Sequence, residues 1–224
     1  MDDLLEIHAP FMRFFALREG DRLFLIDSGF VGGWGLLQRA LRRRGWQNLP
    51  IEGLLLTHGH LDHTLNAAVI KERTACWIAA PRLDAEHCAQ RYHYRGIASV
   101  CGALEGLGRA VLRFRPFEVD HWLDDGDELP IWGGLRAVHL PGHTVGHMGY
   151  LAVERRVLFA GDLFFSFGFR NGWPLPIYNS CPEYFPASAR RVRELDLDGL
   201  FPNHGDRASP EEHLRRVRRF TRRY

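Results

Sequence analysis

Thr57-His58-Gly59-His60-Leu61-Asp62-His63 puts four metal-binding side chains within six positions, directly after the apolar run Leu54-Leu55-Leu56. The run reads as a buried strand, which places the cluster at the rim of a core. Imidazoles and a carboxylate lose hydration there, and a cation that accepts their lone pairs offsets the loss. The chain must therefore fold so that one strand delivers half of a metal site and other segments deliver the rest.

Other predicted strands also end in donor residues. Phe11 to Leu17 and Arg22 to Ile26 flank the turn residues Glu19-Gly20-Asp21, which predicts a hairpin running into Asp27-Ser28-Gly29. By position alone Asp27 reads equally as a turn-forming Asp or as a functional strand-end residue. Leu129 to Trp132 and Leu135 to Leu140 flank Gly133-Gly134, a two-residue hairpin signal, and lead to Pro141-Gly142-His143-Thr144-Val145-Gly146-His147. Met148 to Val153 and Arg156 to Ala160 predict a further hairpin ending in Gly161-Asp162, and a short strand from Gly199 to Phe201 ends in Pro202-Asn203-His204-Gly205.

The donors thus comprise His58, His60, Asp62, His63, His143, Asp162 and His204. Residues two apart project to the same side of an extended segment, so His58 and His60 can chelate one ion and His143 completes a three-histidine set. Asp62 and His63 turn toward a second ion, His204 completes that set, and Asp162 has two oxygens with which to bridge. Two divalent ions ~3.5–4 Å apart that share a hydroxide make a hydrolytic centre.

Helices fill the intervals. Leu36-Leu37, Ala40 and Leu41 predict an amphipathic helix with Arg42-Arg43-Arg44 in its last turn and Gly45 beyond it. Leu65, Ala68 and Val69 carry a helix away from the histidine cluster. After a short strand at Ala75 to Ala79, Pro81 to about Arg95 reads as helical, with His87 and His93 as surface histidines. The glycine-rich stretch Ala98 to Arg109 reads as an irregular connection or weak helix. Leu163 to Pro186, with five phenylalanines, two tyrosines and four prolines, reads as a long ordered loop. Ala187 to Leu195 reads as helical. Ser209-Pro210-Glu211-Glu212 is a capping signal for a last helix that packs Leu214, Val217 and Phe220.

These motifs resemble, in order and across nearly the whole chain, those of the metallo-β-lactamase superfamily: Thr-His-Gly-His-Leu-Asp-His, Pro-Gly-His-Thr-Val-Gly-His, Gly-Asp and Asn-His-Gly. The resemblance implies an α/β fold, a four-layer αββα sandwich of two mixed sheets flanked by helices, formed by residues 1–224 as one domain. It implies that His58, His60 and His143 hold one metal, that Asp62, His63 and His204 hold the other, and that Asp162 bridges them. It gives Asp62 an added catalytic role at the nucleophile, Asp27 the role of fixing a ligand's tautomer, and His147 a supporting hydrogen bond. A bridging aspartate favours the glyoxalase II-like branch over β-lactamases. The activity implied is hydrolysis of a thioester or ester in the manner of hydroxyacylglutathione hydrolase, with two divalent ions, zinc first and iron or manganese as alternatives. Other branches give a mononuclear iron persulfide dioxygenase, using the equivalents of His58, His143 and Asp162, or a lactonase or phosphodiesterase. In the dioxygenase branch a Gly-Arg-x-Asp stretch follows the aspartate, where this chain has Phe169-Arg170-Asn171-Gly172.

Composition bounds the partners. With 29 basic and 27 acidic residues the chain carries +2, which gives no electrostatic footprint for nucleic acid. The six arginines from Arg215 to Arg223 read as a solvated helix face. The expected partner is a small-molecule substrate. Arg170, Tyr178 and Tyr184 are the candidates to contact it, from the aromatic segment Phe164 to Tyr184. Cys76, Cys88, Cys101 and Cys181 form no paired motif, the first residues are not a signal peptide, and no run reaches the ~18 apolar residues of a membrane span. A cytoplasmic protein with free thiols is the expectation.

Overall fold

The computed structural model describes residues 2–9 and 12–224. The hairpin expected to begin at Phe11 is present from Met12 onward, and Phe11 itself lies outside the described residues. The first sheet has six strands in sequence order: β1 (Leu4–Ala9), β2 (Met12–Glu19), β3 (Arg22–Ile26), β4 (Ile51–Leu55), β5 (Trp77–Pro81) and β6 (His121–Leu123). Its first three strands are antiparallel and its last three add in parallel. The second sheet runs β11 (Arg170–Gly172), β10 (Val157–Phe167), β9 (Met148–Ala152), β8 (Leu135–His139) and β7 (Glu128–Leu129), with β12 (Gly199–Gly205) parallel to β10.

Three apolar clusters define four layers. Strand side chains alternate between faces, so Phe14, Ala16, Leu23, Leu25 and Leu54 face the outer helices α1 (Gly33–Arg44) and α3 (Ala67–Thr74). Their neighbours Phe15, Leu17, Phe24, Ile26 and Leu55 meet Tyr150, Phe159 and Phe201 of the second sheet. The opposite face of that sheet packs Leu158 and Leu200 on α6 (Phe185–Glu194) and α7 (Pro210–Thr221) through Phe185, Val192, Leu214 and Val217. Burial on both faces is why these strands read as near-continuous apolar runs. Helix α1 ends at Gly45 with φ 77°, and the Ser209 hydroxyl accepts the Glu212 N–H at 3.3 Å, as the capping signals anticipate. All four cysteines are buried and free. No helix among the described residues is long and apolar enough to cross a membrane.

Five expectations need correction. The segment from Pro81 is helical only as α4 (Ala85–Cys88): Pro81 closes β5, and Gln90 at φ 57° terminates the turn. The Gly133-Gly134 turn is a longer connection, because β7 stops at Leu129, paired with Leu135, and the chain loops to bury Trp132 between the sheets. Asp162 does not end its strand, since β10 continues through a register irregularity to Phe167. The segment after Leu163 is correspondingly strand, then β11, then two short 3-10 turns, before α6 begins at Phe185. Finally, 98–109 is mostly a regular helix, α5 (Ser99–Val111). Its glycines are close-approach positions: a Cβ on Gly102 would lie 2.6 Å from the Tyr94 ring, and one on Gly108 would lie 2.9 Å from Leu61.

Candidate metal centre

The four ligand-bearing segments converge at one edge of the sandwich. His58 and His60 lie in the loop after β4, and Asp62 and His63 on the single-turn helix α2 (Leu61–Thr64) that follows. His143 lies between β8 and β9, Asp162 in β10 and His204 near the end of β12. One donor atom from each of His58, His60 and His143 falls within a sphere of mutual distances no greater than 4.8 Å, and the same holds for Asp62, His63, Asp162 and His204. The Asp162 carboxylate faces both sets: Oδ2 lies 2.9 Å from His204 Nε2 and 3.5 Å from His143 Nε2, while Oδ1 lies 3.3 Å from His63 Nε2.

Hydrogen bonds on the far side of the His58, His63 and His143 rings decide which nitrogen faces inward. His63 Nδ1 donates to Asp27 Oδ2 at 2.9 Å, which leaves Nε2 for the centre. Thr57 Oγ1 donates to the same carboxylate at 2.9 Å, so its lone pair accepts from His58 Nδ1 at 3.0 Å. The Thr57 N–H and Asn203 Nδ2 also donate to Asp27, at 2.8 and 2.7 Å. Asp27 is fully buried at φ 63°, and each of these contacts of its carboxylate is with a donor. Asn179 Oδ1 accepts from His143 Nδ1 at 3.1 Å. His147 Nδ1 donates to the Leu140 carbonyl at 3.0 Å, and Nε2 accepts the Asp162 N–H at 3.0 Å. A Cβ on Gly161 would lie 2.5 Å from that nitrogen, and the residue is at φ 54°, so glycine is required on both counts.

The donor chemistry fits a pair of cations. His58 Nε2 and His60 Nε2 are buried without a hydrogen-bond partner, an arrangement that costs free energy unless an ion takes the lone pairs. Burial, reinforced by neighbouring imidazoles, pushes His58 well below the usual histidine range and holds His143 at about 3. His60 is also held at about 3, by burial and then by His87. This set therefore consists of neutral rings, with His60 Nδ1 donating to His143 Nε2 at 2.9 Å. In the second set burial opposes charge but is outweighed. Asp162, Asp27 and Asp62 raise His63 well above its usual range, and Asp162 with Asp62 lifts His204 to about 10. Their partners raise the opposite case: despite burial, His63 and His204 keep Asp62 and Asp162 below the usual carboxylate range. These protonated rings occupy the charge position that a cation would take.

One organising residue escaped the sequence reading. Asp84, fully buried just after β5, accepts from Gly59 N at 3.0 Å, Thr144 Oγ1 at 2.7 Å and Gly146 N at 2.7 Å. It staples the His58–His63 loop to the His143–His147 loop. In the sequence it looks only like an Asp ahead of a short helix, and two of its three partners are backbone N–H groups that residue type does not display. His87, expected at the surface, is buried: its ring stacks on Tyr92 at 3.7 Å between centroids and lies 5.6 Å from His60. His93 is exposed as expected.

A pocket of about 410 Å³ opens onto the donors and reaches Asp62, Asp162 and His204. Of the three substrate candidates Tyr178 lines it, whereas Arg170, exposed on β11, and Tyr184, half exposed before α6, do not.

Two packed sheets with helices outside, carrying His-x-His-x-Asp-His and three further donors at one edge, define the metallo-β-lactamase class of fold. The chain belongs to the metallo-beta-lactamase superfamily, whose pattern matches residues 14–205. It is 30% identical over 151 residues to a hydroxyacylglutathione hydrolase of Haemophilus influenzae, a match covering 64% of this chain and 62% of the relative. It is 28% identical over 189 residues to one of Aeromonas hydrophila, covering 82% and 57%. The chain thus spans about three fifths of the length of these curated relatives. Among solved structures it is similar in fold to a metallo-beta-lactamase family protein of Thermus thermophilus (TM-score 0.75, 20% identity, 99% of this chain and 79% of that one). A subclass B3 metallo-beta-lactamase of Bradyrhizobium japonicum is also similar in fold (TM-score 0.73, 20% identity, 99% and 89%).

Proposed function

We propose that the chain is a hydrolase that uses two divalent cations to cleave a thioester or ester. The observation that carries this reading is the Asp162 carboxylate, which lies between a complete three-histidine set and a complete Asp62-His63-His204 set. His58, His60 and His143 would hold one cation, Asp62, His63 and His204 the other, and Asp162 both. Imidazole and carboxylate donors in small sets suit zinc first, although iron and manganese accept the same donors. Bound there, such ions supply Lewis acidity and make water a nucleophile near neutral pH.

The chain's own residues do the rest. Asp62 lines the pocket, is partly exposed, and is held as a carboxylate by His63 and His204. It orients the attacking water and carries its proton toward the leaving group. Asp27 fixes the His63 tautomer that keeps its Nε2 inward, and His147 holds Asp162 in place through its backbone N–H. The substrate is a small molecule, and the four buried free thiols suit a reducing, cytoplasmic setting.

The test is metal content and turnover on one preparation. About two ions per chain are expected, with activity on a thioester and ester panel. Asp162→Ala should lose one ion equivalent and nearly all turnover. Retained turnover would refute the dinuclear reading, and a single iron with oxygen uptake on a persulfide would replace it with the dioxygenase.

A further inference from the structure

The walls of the catalytic pocket differ from its floor. Opposite the donors stand Met12, Phe30, Leu61, Leu104, Phe165 and Tyr178. Gly108 of α5 also lines the space, and its missing side chain leaves room beside Leu61. Among the described residues no Lys or Arg lines this pocket. Arg109, next to Gly108, donates instead to Gln90 Oε1 at 2.7 Å. The charged groups facing the space are all acidic apart from the histidines: Asp62, Asp162 and Glu105. Glu105 is already committed, accepting the Leu61 N–H at 2.8 Å and the Tyr94 O–H at 2.7 Å, and so it locks α5 against the ligand loop.

Helix α5 also continues the apolar wall outside the pocket. Val100, Leu107 and Val111 are exposed at three- and four-residue spacing in line with Leu104, which is itself 53% exposed at the pocket mouth. Residues at this spacing share one helix face. An exposed apolar stripe of this kind marks a binding surface, and its continuity with the pocket specifies what binds.

We infer that the substrate is an uncharged acyl thioester or ester whose apolar chain lies along α5, from the Leu61–Gly108 notch out over Leu104. The inference rests on the hydrolase reading and narrows its substrate. A glutathione thioester carries two carboxylates, and among the described residues no Lys or Arg lines this pocket to pair with them, while Glu105 adds a further acidic side chain. In the reaction, water adds its oxygen to the acyl carbon, the C–S or C–O bond breaks with its electron pair going to sulfur or oxygen, and the proton from water ends on the leaving group. Apolar binding would come from the chain, and the acyl carbon would then lie at the donors.

The experiment uses the metal-loaded full chain with acetyl, butyryl, hexanoyl and octanoyl thioesters of N-acetylcysteamine, and S-lactoylglutathione as the charged comparator. Each added methylene should raise kcat/KM roughly three- to fourfold until the pocket is filled, and the octanoyl thioester should exceed S-lactoylglutathione. Leu104→Asp should flatten the chain-length dependence. Calorimetric titration with octanamide and acetamide gives a readout independent of turnover, and octanamide should bind more tightly. A flat series in the unmutated protein, or preference for S-lactoylglutathione, overturns the apolar inference while leaving the hydrolase reading intact. No turnover on any thioester or ester, with octanamide still preferred, overturns the hydrolase reading and leaves the apolar site standing. Equal binding of the two amides also overturns the inference.

Discussion

Replacing Asp84 by Asn tests whether the two ligand loops are held by one carboxylate. In the native protein three donors converge on it: Gly59 N and Thr144 Oγ1 on Oδ2, and Gly146 N on Oδ1. An Asn can turn its carbonyl oxygen to the first two, but its NH2 then faces the Gly146 N–H. One buried donor is left unsatisfied, which costs about 1–3 kcal/mol, and the remaining bonds lose their charge assistance. A total of about 2–4 kcal/mol follows, or roughly 5–15 °C in Tm for a chain of this size. The loops it joins carry His58, His60 and His143, so zinc affinity should fall about 10–100-fold, as is usual when a ligand's support is removed. Thermal unfolding of the metal-free protein reads the first effect, and competition with a chromophoric chelator reads the second. A Tm within about 1 °C of the unmutated protein would refute the staple. A lowered Tm with unchanged zinc affinity would show that the loops hold their geometry without it.

Three further outcomes follow from single contacts. Gly161→Ala must accommodate a positive φ and a Cβ 2.5 Å from His147 Nε2; a loss of at least about 2 kcal/mol in denaturant unfolding is expected, and a smaller loss would mean that β10 relaxes freely at its irregularity. His213 is held at about 4, first by burial and then by Arg13, whose Nη2 lies 2.9 Å from His213 Nε2. Because its folded value lies below the ordinary histidine range, the folded state keeps it neutral, and stability present above ~6.5 is lost as pH falls toward 4. His213→Asn can keep both the Arg13 and Ser166 contacts without titrating, so the stability gap between the two proteins should narrow from pH 7 to pH 4; a constant gap would contradict this. Ser209→Ala removes the cap on α7 and should cost about 1 kcal/mol, read as a drop of roughly 2–4 °C in Tm, with no change in metal content.

The sequence displays what depends on residue type at short range. The histidine motif, the two-faced strands and the caps at Gly45 and Ser209 are all of that kind, and the structure puts each where its chemistry requires. What stays hidden depends on backbone partners and on packing between distant segments. Asp84 works through Gly59 and Gly146 N–H groups contributed from 25 residues before it and 62 after it. The glycines of α5 look like helix breakers, yet two of them are the points where Tyr94 and Leu61 come closest. His87 looks solvated because nothing nearby in sequence announces that Tyr92 will cover it. Asp162 looks like a strand end because Gly161 precedes it, whereas that glycine makes an irregularity within a longer strand.

The charges of the site bear on its choice of substrate. The Asp27 carboxylate accepts hydrogen bonds from Thr57, His63 and Asn203. Together with Asp62 and Asp162 it makes three buried or partly buried negative charges, against which His63 and His204 are held protonated. Two divalent cations would displace those two protons and leave the centre with one net positive charge. Such a centre stabilises a group that acquires a single negative charge during reaction, as the carbonyl oxygen of an ester or thioester does on attack by water. Among the described residues Glu105 is the acidic group of the pocket lining outside that count, and the apolar wall of α5 rewards substrates that arrive neutral. On the proposed reading the floor therefore serves the developing oxyanion, and packing at the wall selects the neutral acyl chain.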